Sequence, residues 1–143
     1  GSSGLKEISE NAVINANYIL TNLKDHYDLP YHRTCMHEVV FSAKNQKVKG
    51  ASALDIAKRL IDYGIHPPTM YFPLIVEEAL MVEPTETEGK ETLDNFIEVM
   101  INISEEVDVD PEILKNAPYS TPNTRLDEAS AARRPELRWH FPP

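Results

Sequence analysis

Cysteine is almost absent from this 143-residue chain. Its single thiol, Cys35, excludes an internal disulfide, and a fold that needs none fits a reducing cytosol. A lone cysteine beside a strand-like run reads as a small buried hydrophobe, with a reactive thiol as the alternative. Glycine is sparse as well. Of the five, Gly1 and Gly4 lie in a GSSG opening that has the form of an expression tag, and the other three do not compose a phosphate-cradling loop. No apolar run approaches the roughly 18 residues that span a bilayer, and no signal peptide opens the chain. Positive charge is short: 14 Lys and Arg face 23 Asp and Glu, and the net charge of −9 argues against nucleic acid or an anionic membrane as the main partner.

What is present suits one domain, since 41% hydrophobic residues can fill a core. Ile8, Ala12, Ala16, Ile19, Leu20, Leu23 and Tyr27 recur at three- and four-residue steps, which predicts a helix over 8–27, stopped before Pro30. Cys35–Ser42 is partly β-branched and reads as a strand, and the polar run Lys44–Lys47 as the loop after it. Ser52 and Asp55 have capping-box spacing ahead of a helix that buries Ala53, Ile56, Ala57, Leu60 and Ile61 and ends at Gly64. Beyond Pro67 and Pro68 come two strand candidates, Thr69–Tyr71 and the stronger Ala79–Val82, joined by a loop at Pro73. Thr85 and Glu88 supply a second capping box, ahead of a helix that buries Leu93, Phe96, Ile97, Met100, Ile101 and Val107. Asp110-Pro111 ends that helix or begins one further turn through Leu114.

The element order, with too few strands for a doubly wound sheet, predicts an α+β fold: a small, mainly antiparallel sheet with helices on one face. The expected organisation is a tag over 1–4, a domain over 5–116 and a loosely ordered tail over 117–143. Five prolines bar that tail from forming a long helix or a central strand. It also holds four of the six arginines, Arg125, Arg133, Arg134 and Arg138, in an otherwise acidic chain.

Two clusters could be read as metal sites. Glu83, Glu86, Glu88, Glu91 and Asp94 crowd together, but carboxylates at a helix start also complement its dipole, and that reading is preferred. His32, Cys35 and His37 lack a fourth zinc ligand, and His26 and His66 show no paired spacing. No metal site is assigned.

The stretches NANYILTNLKDHYDLPY, CMHEVVFS, LDIAKRLIDYG, HPPTMYFPLIVEEALMVEPTETEGKETLDNF and TPNTRLDEASAARRPELRW together resemble the C-terminal part of the glycine cleavage system P protein, glycine decarboxylase. The wording is most similar to the second subunit of the two-subunit prokaryotic form, and the resemblance runs from Asn11 to Trp139. It implies the small C-terminal domain of a fold-type-I pyridoxal phosphate enzyme, located in the cytoplasm. In that family glycine loses its carboxylate and its aminomethyl group passes to the lipoyl arm of H protein. The implied partners are a larger domain of the same chain, which binds pyridoxal phosphate, the other P-protein subunit, H protein and glycine. The family places its Schiff-base lysine after a histidine, and no His-Lys dipeptide occurs here. All eight lysines fall in loops or among polar helix neighbours, where an ammonium stays solvated. The expectation is a domain with no catalytic or cofactor-binding residue of its own, inactive alone.

The resemblance also frames the remaining candidates. His37 and Glu38 could orient a group at the substrate cleft; the alternative is a surface imidazole beside a solvated carboxylate. Arg125, Arg133, Arg138 and Trp139 could dock onto the larger domain or a neighbouring subunit, or belong to a disordered terminus. A free-standing, non-catalytic protein-interaction domain is the competing reading of the whole chain.

Overall fold

A computed structural model describes residues 1–139 and 141 of the chain. The end of the expected tail, His140, Pro142 and Pro143, lies outside the described residues. The elements run α1 (Ser2–Leu23), β1 (Val39–Ser42), α2 (Lys44–Val48), α3 (Ala53–Asp62), β2 (Thr69–Met70), β3 (Ala79–Val82), α4 (Lys90–Val109), α5 (Glu112–Lys115) and α6 (Glu128–Arg133).

The three strands form one antiparallel sheet in the order β1-β3-β2, with Val39 opposite Val82, Phe41 opposite Leu80 and Met70 opposite Leu80. Because successive side chains in a strand point to opposite faces, Val39, Phe41, Leu80 and Val82 share one face. That face is buried against Ile19 and Leu23 of α1, Ile56 and Leu60 of α3, and Leu93, Ile97, Met100 and Ile103 of α4. The other face presents Val40 and Met81, half-buried, Thr69, exposed, and the buried Ser42 and Ala79, so among the described residues it is left partly uncovered. The fold is α+β, with its helices packed on one side of a three-stranded antiparallel sheet.

Local chemistry explains most boundaries. Ser52 Oγ accepts from the Asp55 N–H while Asp55 accepts from the Ser52 N–H, so the box at the start of α3 is complete. Gly64 closes that helix at φ +73°, a conformation glycine adopts without steric cost. Just beyond α1 the Tyr27 hydroxyl donates to the Met100 carbonyl at 2.9 Å, in the core. Burial pushes this phenol well above its ordinary pKa, so it remains a neutral donor.

Several expectations are corrected. Helix α1 starts at Ser2 rather than Ile8 and ends at Leu23, before Tyr27, because nothing in its first turns stops it and its core contacts begin at Ala16. Residues 35–38 are not strand: Asn17 Nδ2 donates to the Cys35 carbonyl and the Cys35 N–H donates to Asn17 Oδ1, which commits that backbone to a side chain. Tyr71 is no strand residue either, turning at φ 58°. The polar run after β1 is the short helix α2, which buries Gln46. The second capping box does not form. Thr85 Oγ1 bonds Thr87 Oγ1, the α4 N-cap is Gly89, and Asn15 Nδ2 holds the loop by donating to the carbonyls of Thr85 and Glu88.

Candidate functional site

A groove of about 550 Å³ opens over the uncovered sheet face, lined among others by Tyr31, Arg33, His37, Val40, Phe72 and Met81. One wall is the segment that Asn17 clamps to α1 through Cys35. Burial pushes the Cys35 thiol up, which disfavours the reactive thiolate. The other wall is the β2–β3 loop. Its end is pinned: Ser42 Oγ donates to the Glu77 carbonyl, the Ala43 N–H donates to the Glu78 carbonyl, and Glu78 Oε2 accepts the Ala53 N–H at 2.6 Å. Glu78 holds φ 48°, a sparsely populated region for a residue with a Cβ. Val76 turns inward from this loop, while Leu74 and Ile75 at its tip are 86% and 85% exposed.

His37 and Glu38 both line the groove, from the loop that precedes β1. His37 Nε2 lies 3.5 Å from Glu83 Oε1, so the carboxylate it meets is Glu83. Arg33 is the one cationic lysine or arginine of the groove, and no carboxylate among the described residues pairs with it. Sequence reading missed Arg33 and the apolar tip. The signal for the tip was the FPLIV run itself, apolar residues placed in a loop.

The tail candidates lie apart from the groove. Arg125 spends its donors inside the domain, Nε on the Ala117 carbonyl and Nη2 on Asp55 Oδ1 at 2.8 Å and the Leu114 carbonyl at 2.7 Å. Arg133 lies in the exposed helix α6, and Trp139 and Phe141 contact each other edge to face at 6.4 Å. Arg138 is exposed.

A polar centre unforeseen in the sequence joins α3 to α4. Arg59 Nε and Nη2 grip both oxygens of Glu106 at 2.9 and 2.7 Å, and Nη1 reaches Asp62 at 3.1 Å. Tyr63 donates to Glu106, and the backbone N–H groups of Tyr119 and Ser120 donate to Asp62. Burial pushes the Asp62 carboxyl up, but the Ser120 and Tyr119 donors and Arg59 outweigh it and hold the group below its ordinary value. Glu106 is lowered in the same way, burial being outweighed by Arg59 and Tyr63.

The lysines do not fit a pyridoxal phosphate site. Lys6, Lys44, Lys47, Lys49, Lys90 and Lys115 pair with carboxylates at the surface. Hydrogen bonding to Asp94 raises the Lys90 ammonium and bonding to Glu112 raises Lys115, the opposite of what an imine-forming amine needs. Lys24 is exposed and Lys58 half-buried. Among the described residues no three His, Cys, Asp or Glu side chains come together as a metal site, and no helix is long and apolar enough to cross a membrane.

The family model for the glycine dehydrogenase C-terminal domain matches residues 8–125. The chain belongs to that family. Among its relatives is the probable glycine dehydrogenase (decarboxylating) subunit 2 of Desulforamulus reducens, 60% identical over 99% of this chain and 29% of the relative. The protein of the same description from Shouchella clausii is 58% identical over 99% of this chain and 29% of its own length. That of Staphylococcus haemolyticus is 58% identical over 97% and 28%. This glycine dehydrogenase C-terminal domain therefore spans less than a third of the curated relatives it matches.

Proposed function

We propose that this chain is the C-terminal part of the second subunit of a two-subunit glycine dehydrogenase (decarboxylating), and that it contributes surface rather than reacting groups. The observation that carries the reading is the 60% identity to the Desulforamulus reducens subunit 2, which runs through 99% of this chain but only 29% of that protein. On this reading pyridoxal phosphate and its lysine belong to the larger, preceding domain. Glycine is decarboxylated there, the aminomethyl group passes to the lipoyl arm of H protein, and the other P-protein subunit completes the assembly.

The lysines support this division of labour. A Schiff-base lysine needs desolvation or nearby cations to free its amine, whereas six of the eight here neighbour carboxylates. No step of the reaction is assigned to a residue of this chain. On this reading His37 and Glu38, which line the groove, border the assembled cleft. Arg133, Arg138 and Trp139 are free to meet the larger domain or a neighbouring subunit, and Arg125 would act there only by giving up its hold on Asp55.

The natural reading frame tests the proposal. It is expected to continue upstream of Leu5 through a His-Lys dipeptide. A natural start near Leu5 would overturn the enzyme reading in favour of a free-standing interaction domain.

A further inference from the structure

The geometry points to the uncovered sheet face as the surface that the preceding part of the same subunit covers, with the Leu74-Ile75 tip seated in it and an acidic group set against Arg33. The inference rests on the reading above and adds to it the contact face and its chemistry. An antiparallel sheet with one face in water carries polar residues there. Here the outward positions of β1 and β3 are Val40 and Met81, half-buried, and Ser42 and Ala79, which are buried beside the β2–β3 loop, so the open part of the face is the apolar Val40–Met81 end. Around them several large apolar side chains are exposed, Met36 at 70% and Phe72 at 53%, with Leu74 and Ile75 beyond, while Arg33, Thr34, His37 and Glu38 form the polar part of the lining. Large apolar side chains gathered at one groove and the loop that walls it mark an interaction surface rather than a random scatter.

The loop that carries the tip is not a slack excursion. Both Tyr71 and Glu78 hold positive φ, Val76 is buried, and Glu78 is bonded to the start of α3. Two aliphatic side chains are thus held outward on a fixed mount, which favours a preorganised contact.

The occupant follows from chain length and charge. The family match is to a C-terminal domain, and more than two thirds of the Desulforamulus reducens relative lies outside the 29% matched. The face is also continuous with α1, because Met36 and His37 line both the main groove and a second hollow against Ile8, Ala12 and Val13. A chain segment that arrives at α1 therefore arrives beside the face. Arg33, without a carboxylate among the described residues, supplies the charge that an acidic group on the covering domain would meet.

Hydroxyl-radical footprinting of the full-length subunit, alone and with the other subunit, tests this. Met36, Phe72, Leu74 and Ile75 are expected to label several-fold less in the full-length subunit alone than their exposure here implies. Val48, the last residue of α2, and Val109, the last of α4, 89% and 82% exposed, serve as the unprotected reference. An Ile75→Asp substitution should restore labelling of Met36 and Phe72 without unfolding the domain, since Ile75 is solvent-facing. Full labelling of the face beside a protected α6 and Trp139 would overturn the inference while leaving the domain reading intact. Protection that appears only with the other subunit, or only with rising concentration, would overturn it in favour of that subunit or a second copy. A reading frame with no preceding domain would remove both.

Discussion

Arg59 shows how a single side chain can decide acid stability. Its guanidinium, 18% exposed, ties Glu106 of α4 to Asp62 of α3 and lies over the Tyr63 ring at 4.9 Å. Both carboxylates are held below their ordinary values, so they bind fewer protons when folded than when unfolded near pH 4. Their stabilisation is complete above the unfolded values, about 4. It is lost as pH falls through the lowered folded values. Thermal unfolding should accordingly be flat from neutral pH to about 5 and drop steeply below about 4. Arg59→Met should cost about 2 kcal/mol in urea titrations at neutral pH and should flatten that acid drop. An unchanged acid profile would show that other carboxylates govern it.

At the scale of elements, the two capping-box sequences give opposite predictions. Ser52→Ala breaks a formed box and should destabilise by about 1 kcal/mol, whereas Thr85→Ala should cost under about 0.5 kcal/mol because its hydroxyl caps nothing. Urea midpoints of the two variants check this directly. The Ser52 box was legible because all its determinants lie within four residues, as was Gly64, whose backbone conformation is its own signal. Thr85 misled because the competing anchor, Asn15, is 70 residues away. Helix α2 was hidden by its length, five residues with Gln46 alone buried, too few to show a period. In the tail, Asp62 and Asp55 hold residues 119–125 to α3, a tertiary device that composition could not display. Trypsin should therefore cut after Arg133, in exposed α6, before it cuts after Arg125. The reverse order would show that the Arg125 contacts are weak.

For the whole molecule, the pattern of apolar residues was enough to give the fold class and the one-sided packing of the sheet. The candidate site was less legible, since His37 and Glu38 were seen but Arg33 and the FPLIV tip were not. The reason is that their meaning depends on which sheet face is left open, and that emerges only from the register of β1 against β3. On the proposed reading, the open apolar face and the surface-paired lysines belong to a domain joined to a part that does the chemistry. The central claim is that this chain supplies no cofactor lysine. It is tested by mixing the purified chain with pyridoxal phosphate and carboxyl-labelled glycine, dialysing, and measuring retained cofactor and released CO2. The account predicts no stoichiometric cofactor and no CO2 above a protein-free control. One cofactor retained per chain, lost when a single lysine is replaced, would contradict it.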